Sequence, residues 1–305
     1  MTTLLDELHD IVQRVADGVG PSVVRIGRGP GRGAGIVVAD GLVLTNAHNL
    51  RGPETTVTFA DGHSHPGTAQ AVDPDGDLTV LSVDTGGAPA IAWEPDHAEV
   101  DAGTAVLALA RTPSGALRVT AGLVSSASEA FRGPRGRRID RSLEHTAPLG
   151  RGSSGGPVVD VTGALVGVNT HRIGDGFYLA LPADAELRTR VDALGRGEAP
   201  VRPTLGVAIA PPHAARQLRA AVGLPERDGL LVRAVQDDSP AAAAGVRQGD
   251  LLVAAGGSAL TDPDALHRAL AGLQPGATLT LTVVRGVDEL EIVVAFDGPA
   301  APTQA

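Results

Sequence analysis

Short aliphatic and β-branched runs, each closed by a turn signal, fill the first part of the chain and restrict it to a β architecture. Strands are expected at residues 22–26, 36–38, 42–44, 55–59, 78–83, 105–110, 117–124, 157–161 and 165–169. The breaks between them are Asp40-Gly41, Asp61-Gly62, Asp75-Gly76, Gly86-Gly87, Pro113-Ser114-Gly115 and Thr162-Gly163. Many short strands joined this way form a sandwich or a barrel, and periodicity alone does not choose between the two. Composition agrees: 40 Gly and 22 Pro occur without a fixed period, which favours turns over a helical bundle. Aromatic residues make up only 2%, so the core is built from Val, Leu, Ile and Ala.

At 305 residues the chain is expected to hold two domains. Residues 3–17 place Leu4, Leu5, Leu8, Ile11, Val12 and Val15 at helical spacing, which predicts a short amphipathic helix packing on the body. A second helix is expected at 184–194, and Gly195-Arg196-Gly197-Glu198-Ala199-Pro200 reads as a linker. The pattern then changes. Strands are expected at 205–209, 229–235, 249–253, 278–284 and 289–296, with helices at 214–222, 240–244 and 262–273. Thr261-Asp262-Pro263-Asp264 is a good helix start. This second part reads as a small α+β domain, and 298–305 as a loose tail.

The chemistry centres on Gly150-Arg151-Gly152-Ser153-Ser154-Gly155-Gly156-Pro157. The glycines permit backbone angles closed to other residues. They let the amides of Gly152 and Ser154 converge where an oxyanion can be held. Upstream stand a histidine, His48 in Leu44-Thr45-Asn46-Ala47-His48, and an acid, Asp77 in Asp77-Leu78-Thr79-Val80-Leu81. A serine is a weak nucleophile without a base, and the base needs an acid to orient it, so the three types are expected to work together. Taken alone, Ser154 reads equally well as a turn serine.

Other signals are weaker. Gly29-Pro30-Gly31-Arg32-Gly33-Ala34 matches a dinucleotide fingerprint only formally, because strands and not a helix follow it. Asp73-Pro74-Asp75-Gly76-Asp77 begins like a calcium loop but has Leu78 where a glycine is required. His63-Ser64-His65 lacks a third ligand, so no metal site is expected. His145 and His171 flank the serine loop and are expected at the surface or near the cleft. The arginines at 132, 135, 137, 138 and 141 read as a solvated loop.

Taken together these residues resemble the HtrA (DegP-like) serine proteases, a trypsin-like domain followed by one PDZ domain. The likeness runs from about Val12 to Phe296. It rests on the Gly-Xaa-Ser-Gly-Gly-Pro loop, the His48 and Asp77 segments, and Gly33-Ala34-Gly35-Ile36-Val37-Val38. In the second domain it rests on Thr204-Leu205-Gly206-Val207, Ser239-Pro240-Ala241-Ala242, Ala244-Gly245 and Gly249-Asp250. The resemblance implies a mainly β fold: a chymotrypsin-like double β-barrel over 1–195, a linker at 196–202, and an α+β PDZ domain over 203–297.

It also implies a serine endopeptidase acting on unfolded or damaged proteins. His48, Asp77 and Ser154 would be catalytic, and Gly152, Ser153 and Ser154 would form the oxyanion hole. Thr204, Leu205, Gly206 and Val207 would bind the C-termini of peptides and regulate the activity. A homotrimer is the assembly implied. The rival reading is a PDZ-bearing chaperone with a latent protease site. This chain departs from the family at Ser153, where Asn is common, and at Asn49 and Ala110-Arg111. The residue before the cleaved bond is expected to be small or medium and aliphatic.

The net charge of −10 argues against nucleic acid as a partner, and the absence of cysteine excludes thiol catalysis and disulfides. No cofactor is expected. The first 20 residues carry Asp6, Glu7 and Asp10 and no long apolar run, so neither a signal peptide nor a membrane span is expected there. On this reasoning the protein is placed in the cytoplasm.

Overall fold

The computed structural model describes residues 3–28, 33–127, 130–132, 138–139, 141–174, 176–200, 203–210, 212–271, 273 and 276–296. Most of the 29–34 glycine segment, the centre of the arginine run, Asp175, residues 201–202 and the 298–305 tail lie outside the described residues. The chain divides into two compact units, Met1–Pro200 and Val201–Ala305.

The first unit opens with helix α1, Leu4–Val19. Thr3 caps it, its hydroxyl accepting from the Asp6 amide while the Asp6 carboxylate accepts from the Thr3 amide. Only the C-terminal half packs on the body: Val15 and Val19 are buried, whereas Leu5 and Leu8 face solvent. Strands β1 (Val23–Ile26), β2 (Gly33–Ala39), β3 (Leu42–Thr45), β4 (Glu54–Thr58), β5 (Ser64–Asp73) and β6 (Leu78–Ser82) then form a closed barrel in the order β1-β2-β3-β6-β5-β4.

A second closed barrel follows. It uses β7 (Ala105–Arg111), β8 (Leu117–Ser126), β11 (Leu143–His145), β12 (Pro157–Asp160), β13 (Leu165–Gly174) and β14 (Phe177–Pro182), in the order β11-β14-β13-β12-β7-β8. A short pair, β9 (Phe131–Arg132) and β10 (Arg138–Ile139), projects between β8 and β11 in sequence. The alternative left open by periodicity is thereby settled as barrels. The reason periodicity could not settle it lies in the packing. Val37, Val43 and Leu81 point into the first barrel, while their neighbours Ile36, Leu44 and Val80 point into a second apolar cluster. Val106, Val158 and Val166 fill the second barrel, and Leu107, Val159 and Leu165 join that same second cluster. These strands are buried on both faces, so the sequence shows apolar runs where a one-sided sheet would alternate.

The shared cluster is the seam between the barrels. Helix α2, Ala185–Gly195, seals it with Leu187, Val191 and Leu194, spaced to fall on one face. The indole N–H of Trp93 donates to the Ala183 carbonyl at 2.7 Å and completes the seal. Arg111, atypical in the sequence, is half-buried. It donates to the carbonyls of Val23 (2.6 Å), Gly20 (2.7 Å) and Gly115 (2.9 Å), tying β7 to the entry of the first barrel.

The second unit is a twisted antiparallel sheet, β15 (Val207–Ala210), β16 (Leu230–Val235), β17 (Leu251–Ala255), β19 (Thr278–Arg285) and β20 (Asp288–Ala295), with the two-residue β18 (Ser258–Ala259) beside β17. Helices α3 (Pro212–Ala221), α4 (Pro240–Ala243) and α5 (Pro263–Ala271) accompany it. Asp250, almost fully buried, holds Arg285 through two bonds of 2.8 Å, which fixes the β17–β19 pair at its start. Among the described residues no helix is long and apolar enough to cross a membrane.

Candidate active site

The three predicted residues come together through shared partners: His48 pairs with Asp77, and Ser154 bonds Thr170, which bonds the same Asp77. His48 lies in a single helical turn, Ala47–Asn49, that leaves β3. Asp77 immediately precedes β6 and has φ of +54°, a left-handed conformation uncommon for a residue with a side chain. Two contacts hold it there: its carbonyl accepts from Asn46 Nδ2 (3.0 Å) and from the Ala47 amide (3.2 Å). The preceding turn is held by Asp73, which accepts from the Gly76 amide at 2.9 Å and from Arg190 of α2 at 2.8 Å. The carboxylates that only began like a calcium loop thus form a turn leading to Asp77, as their sequence suggested.

The buried Asp77 carboxylate receives three donors. Oδ1 accepts from the His48 amide at 3.0 Å. Oδ2 lies 2.7 Å from His48 Nδ1 and accepts from the Thr170 hydroxyl at 3.0 Å. An ionised carboxylate only accepts, so Nδ1 carries the proton and Nε2 is left free to accept one. Thr170 spends its single proton on Asp77. His171 Nδ1, 2.8 Å from the same hydroxyl oxygen, is then the donor of that contact.

Ser154 sits in the tight turn between β11 and β12. Gly152 (φ +83°) and Gly155 (φ +88°) take conformations suited to glycine. A Cβ on Gly155 would stand 2.3 Å from the Ala34 carbonyl, and one on Gly156 2.4 Å from the Leu109 carbonyl, so neither position admits another residue. The turn is pinned on both sides. Gly155 donates to Asn169 O (2.7 Å), and Ser154 O accepts from the Ala34 amide (2.8 Å) and from Asn49 Nδ2 (2.9 Å). Asn49 thus joins the histidine turn to the serine turn. Ser153 is buried. The Ser154 hydroxyl donates to the Thr170 carbonyl at 3.0 Å, and among the described residues no hydrogen bond links it to His48.

Of the two histidines expected at the surface or near the cleft, His171 lines the cleft and His145 is buried. His171 is half-buried, edge-on to His48 with ring centroids 5.8 Å apart. Burial pushes its pKa below the ordinary value, with Asp77 opposing the shift. His145 is fully buried and stacks on Tyr178. Asn169 Nδ2 donates to the Gly156 carbonyl, so its Oδ1 accepts from His145 Nε2 at 2.9 Å, and His145 Nδ1 has no partner. Burial lowers the His145 pKa from its ordinary value of 6.5, with the Asn169 bond opposing.

The folded chain therefore takes up this proton less readily than the unfolded chain. The associated stability is complete above about pH 6.5 and drains away as the pH falls towards the lowered value. The loss reaches at most about 1.4 kcal/mol per pH unit for one proton. Urea unfolding between neutral and mildly acidic pH is expected to be steeper in pH for the parent than for His145→Gln. Equal slopes would assign the acid sensitivity to other groups.

In the second unit Leu205 is buried, and its carbonyl accepts from the Ala241 amide at 3.0 Å. Gly206 (φ +77°) accepts from the Gln236 amide at 2.8 Å, and a Cβ there would lie 2.2 Å from Ser239 Cβ. Val207 begins β15, which ends the sheet order and, among the described residues, pairs only with β16, its other edge open. Thr204 is exposed at the mouth of this turn. Leu266 of α5 belongs to the core, while His267 is half-buried with Nδ1 unpartnered.

Sequence reasoning gave no role to Thr170, Asn49, His171 or the Asp73–Arg190 pair. For Thr170 the sequence offered little signal: it stands at the end of the apolar run 165–168, among the polar residues Asn169, His171 and Arg172.

Comparison with known proteins identifies the two domains. Residues 33–168 match the trypsin-like peptidase domain family, and residues 203–296 match the PDZ domain family. A probable periplasmic serine endoprotease DegP-like of Brucella suis biovar 1 is 32% identical over 283 residues, 87% of this chain and 52% of the relative. The like-named protein of Rhizobium meliloti is 32% identical over 295 residues, 91% of this chain and 55% of the relative. The chain thus spans about half the length of these curated relatives. The putative serine protease HhoA of Synechocystis is 29% identical over 277 residues, 87% of this chain and 70% of that protein.

Among solved structures, the HtrA-type protease AlgW with decapeptide superposes with a TM-score of 0.72 at 21% identity, over 95% of this chain and 99% of that one. The serine endoprotease from Yersinia pestis gives 0.69 at 23% identity, over 95% and 98%. One expectation is overturned here. The relatives are named periplasmic, which points outside the cytoplasm and not to the cytoplasmic placement expected from the sequence. The physical reason is that the composition of the first residues does not report where a chain works.

Proposed function

The chain belongs to the HtrA (DegP-like) family of trypsin-like peptidases that carry a PDZ domain, and from that premise we propose a serine endopeptidase that cuts unfolded or damaged proteins. The observation that carries this reading is the 2.7 Å pairing of His48 Nδ1 with the buried Asp77 carboxylate, beside the pinned Ser154 turn. Ser154 Oγ attacks the scissile carbonyl carbon, and its proton passes to His48 Nε2. Asp77 stabilises the imidazolium through Nδ1–H. The amides of Gly152 and Ser154, in the loop that Ser153 completes, hold the oxyanion; one such donor is worth about 3 kcal/mol. The C–N bond then breaks, and the leaving amine takes the proton from His48. Water repeats the sequence on the acyl-enzyme and restores the Ser154 hydroxyl.

In the second domain the C-terminal carboxylate of a peptide meets the turn at Thr204, Leu205, Gly206 and Val207, and its chain adds as a strand on the open edge of β15. Occupancy of this groove regulates cleavage. The division of the chain follows 1–195, a linker at 196–202, and 203–297. The assembly is a homotrimer; a solution mass equal to one chain of 30.8 kDa overturns that part.

One observation favours a second reading, a PDZ-bearing chaperone with a latent site. The Ser154 hydroxyl donates to the Thr170 carbonyl and must give up that bond before His48 can take its proton. Labelling with a fluorescent phosphonate, in the presence and absence of a C-terminal peptide, decides between them. Labelling lost in Ser154→Ala supports the peptidase, and labelling that rises with peptide adds regulation. No labelling under either condition favours the latent protein.

A further inference from the structure

The cleft beside Ser154 does not have the lining that an aliphatic substrate residue would select. Its walls are residues 149–154 and 169–172, closed by Tyr178. Arg151 stands on the first wall and Arg172 on the second. The Arg172 guanidinium lies 5.9 Å from the Tyr178 ring centroid. Arg118, from β8, reaches over Gly150; its Nη1 stands 2.1 Å from where a Cβ on that glycine would be.

Among the described residues no Asp or Glu lines the cleft, and none of these three arginines has an ion-pair partner. Arg188, Arg190, Arg196, Arg216, Arg227 and Arg285 are each paired with a carboxylate. Three guanidinium groups without such a partner stand together at this cleft, two of them on its walls.

A carbonyl placed on Ser154 Oγ, with its oxygen towards the Gly152 amide, directs its own side chain between these two walls. We propose that the cleft selects an acidic side chain, Asp or Glu, at the residue immediately before the scissile bond, with Arg172 and Arg151 as its recognition residues. The inference rests on the peptidase reading above. A planar guanidinium fork matches a carboxylate in two bonds, whereas the neutral amide of Gln offers only one accepting oxygen. Loss of a charge-assisted hydrogen bond is enough for about a tenfold discrimination. The arginines are exposed at their tips, so salt should narrow the preference.

The test uses three peptides that differ only at this residue, carrying Glu, Gln or Val, with phosphonate labelling run alongside. The parent enzyme is expected to favour Glu over Gln by about tenfold in kcat/KM. The ratio is expected to shrink in about 0.5 M NaCl and to approach unity in the Arg151→Ala, Arg172→Ala double variant. If that variant does not fold, the salt dependence of the parent carries the test. An enzyme that takes the label yet cuts the Val or Gln peptide as well as the Glu peptide overturns this inference and leaves the peptidase reading intact. A ratio unmoved by both salt and substitution also overturns it. A chain that takes no label and cuts none of the three peptides overturns the peptidase reading, and this inference with it.

Discussion

Ser154→Ala is expected to lower kcat on casein by about 10⁶ while leaving the melting temperature near that of the parent. The separation of these two outcomes follows from which atoms of Ser154 carry structure. Its carbonyl, not its hydroxyl, receives the Ala34 amide and Asn49 Nδ2. The hydroxyl makes one bond, to the Thr170 carbonyl, and that acceptor lies in a half-open cleft where water can replace it. Truncation to Ala therefore removes the nucleophile and preserves the turn. Casein turnover and thermal unfolding, measured on the same preparation, check both parts. Retained cleavage would mean that the nucleophile has been misassigned.

Asp77→Asn is expected to cost about 10⁴ in kcat with little change in KM. Both oxygens of Asp77 are engaged: Oδ1 by the His48 amide, and Oδ2 by His48 Nδ1 and the Thr170 hydroxyl. An amide NH₂ placed at Oδ1 would face the backbone N–H across 3.0 Å, donor against donor. Placed at Oδ2, it would donate to Nδ1 and force the proton of His48 onto Nε2. That tautomer cannot receive the serine proton. The geometry survives and the proton transfer fails, so a drop confined to KM, or one smaller than tenfold in kcat, would refute this account. Single-turnover kinetics distinguish the two.

Much of the site was legible because its three residues occur in local contexts that physical reasoning can read: a glycine-bracketed serine, and a histidine and an acid each next to an apolar strand. The strands themselves were found mostly where β-branched runs are long. β5 was not, because Pro66, Gly67 and Gln70 make it look like a loop. In the barrel it is paired on both sides, by β4 and β6, and Gly67 is required where Val57 comes close. β11 and β14 were passed over for brevity and for a closing proline.

The supporting shell was illegible for a different reason. Thr170 and Asp77 are 93 residues apart, and Asp73 and Arg190 are 117 apart. No window of sequence contains both partners. His145 was misjudged because a polar residue in a short segment reads as exposed, and only the stacking on Tyr178 and the Asn169 bond explain its burial.

The bond from Asn49 to the Ser154 carbonyl spans 105 residues. Contacts of such separation are slow to form, since the entropy of closing the intervening loop must be met first. The serine turn thus acquires its working shape only after the first barrel is complete and the second has docked on it. A nascent or half-folded copy holds His48, Asp77 and Ser154 but not the folded turn that presents Ser154. Newly made molecules are thereby expected to be harmless to one another during synthesis, with no inhibitory segment needed to protect them. Refolding monitored by both tryptophan fluorescence and phosphonate labelling should find that reactivity appears last.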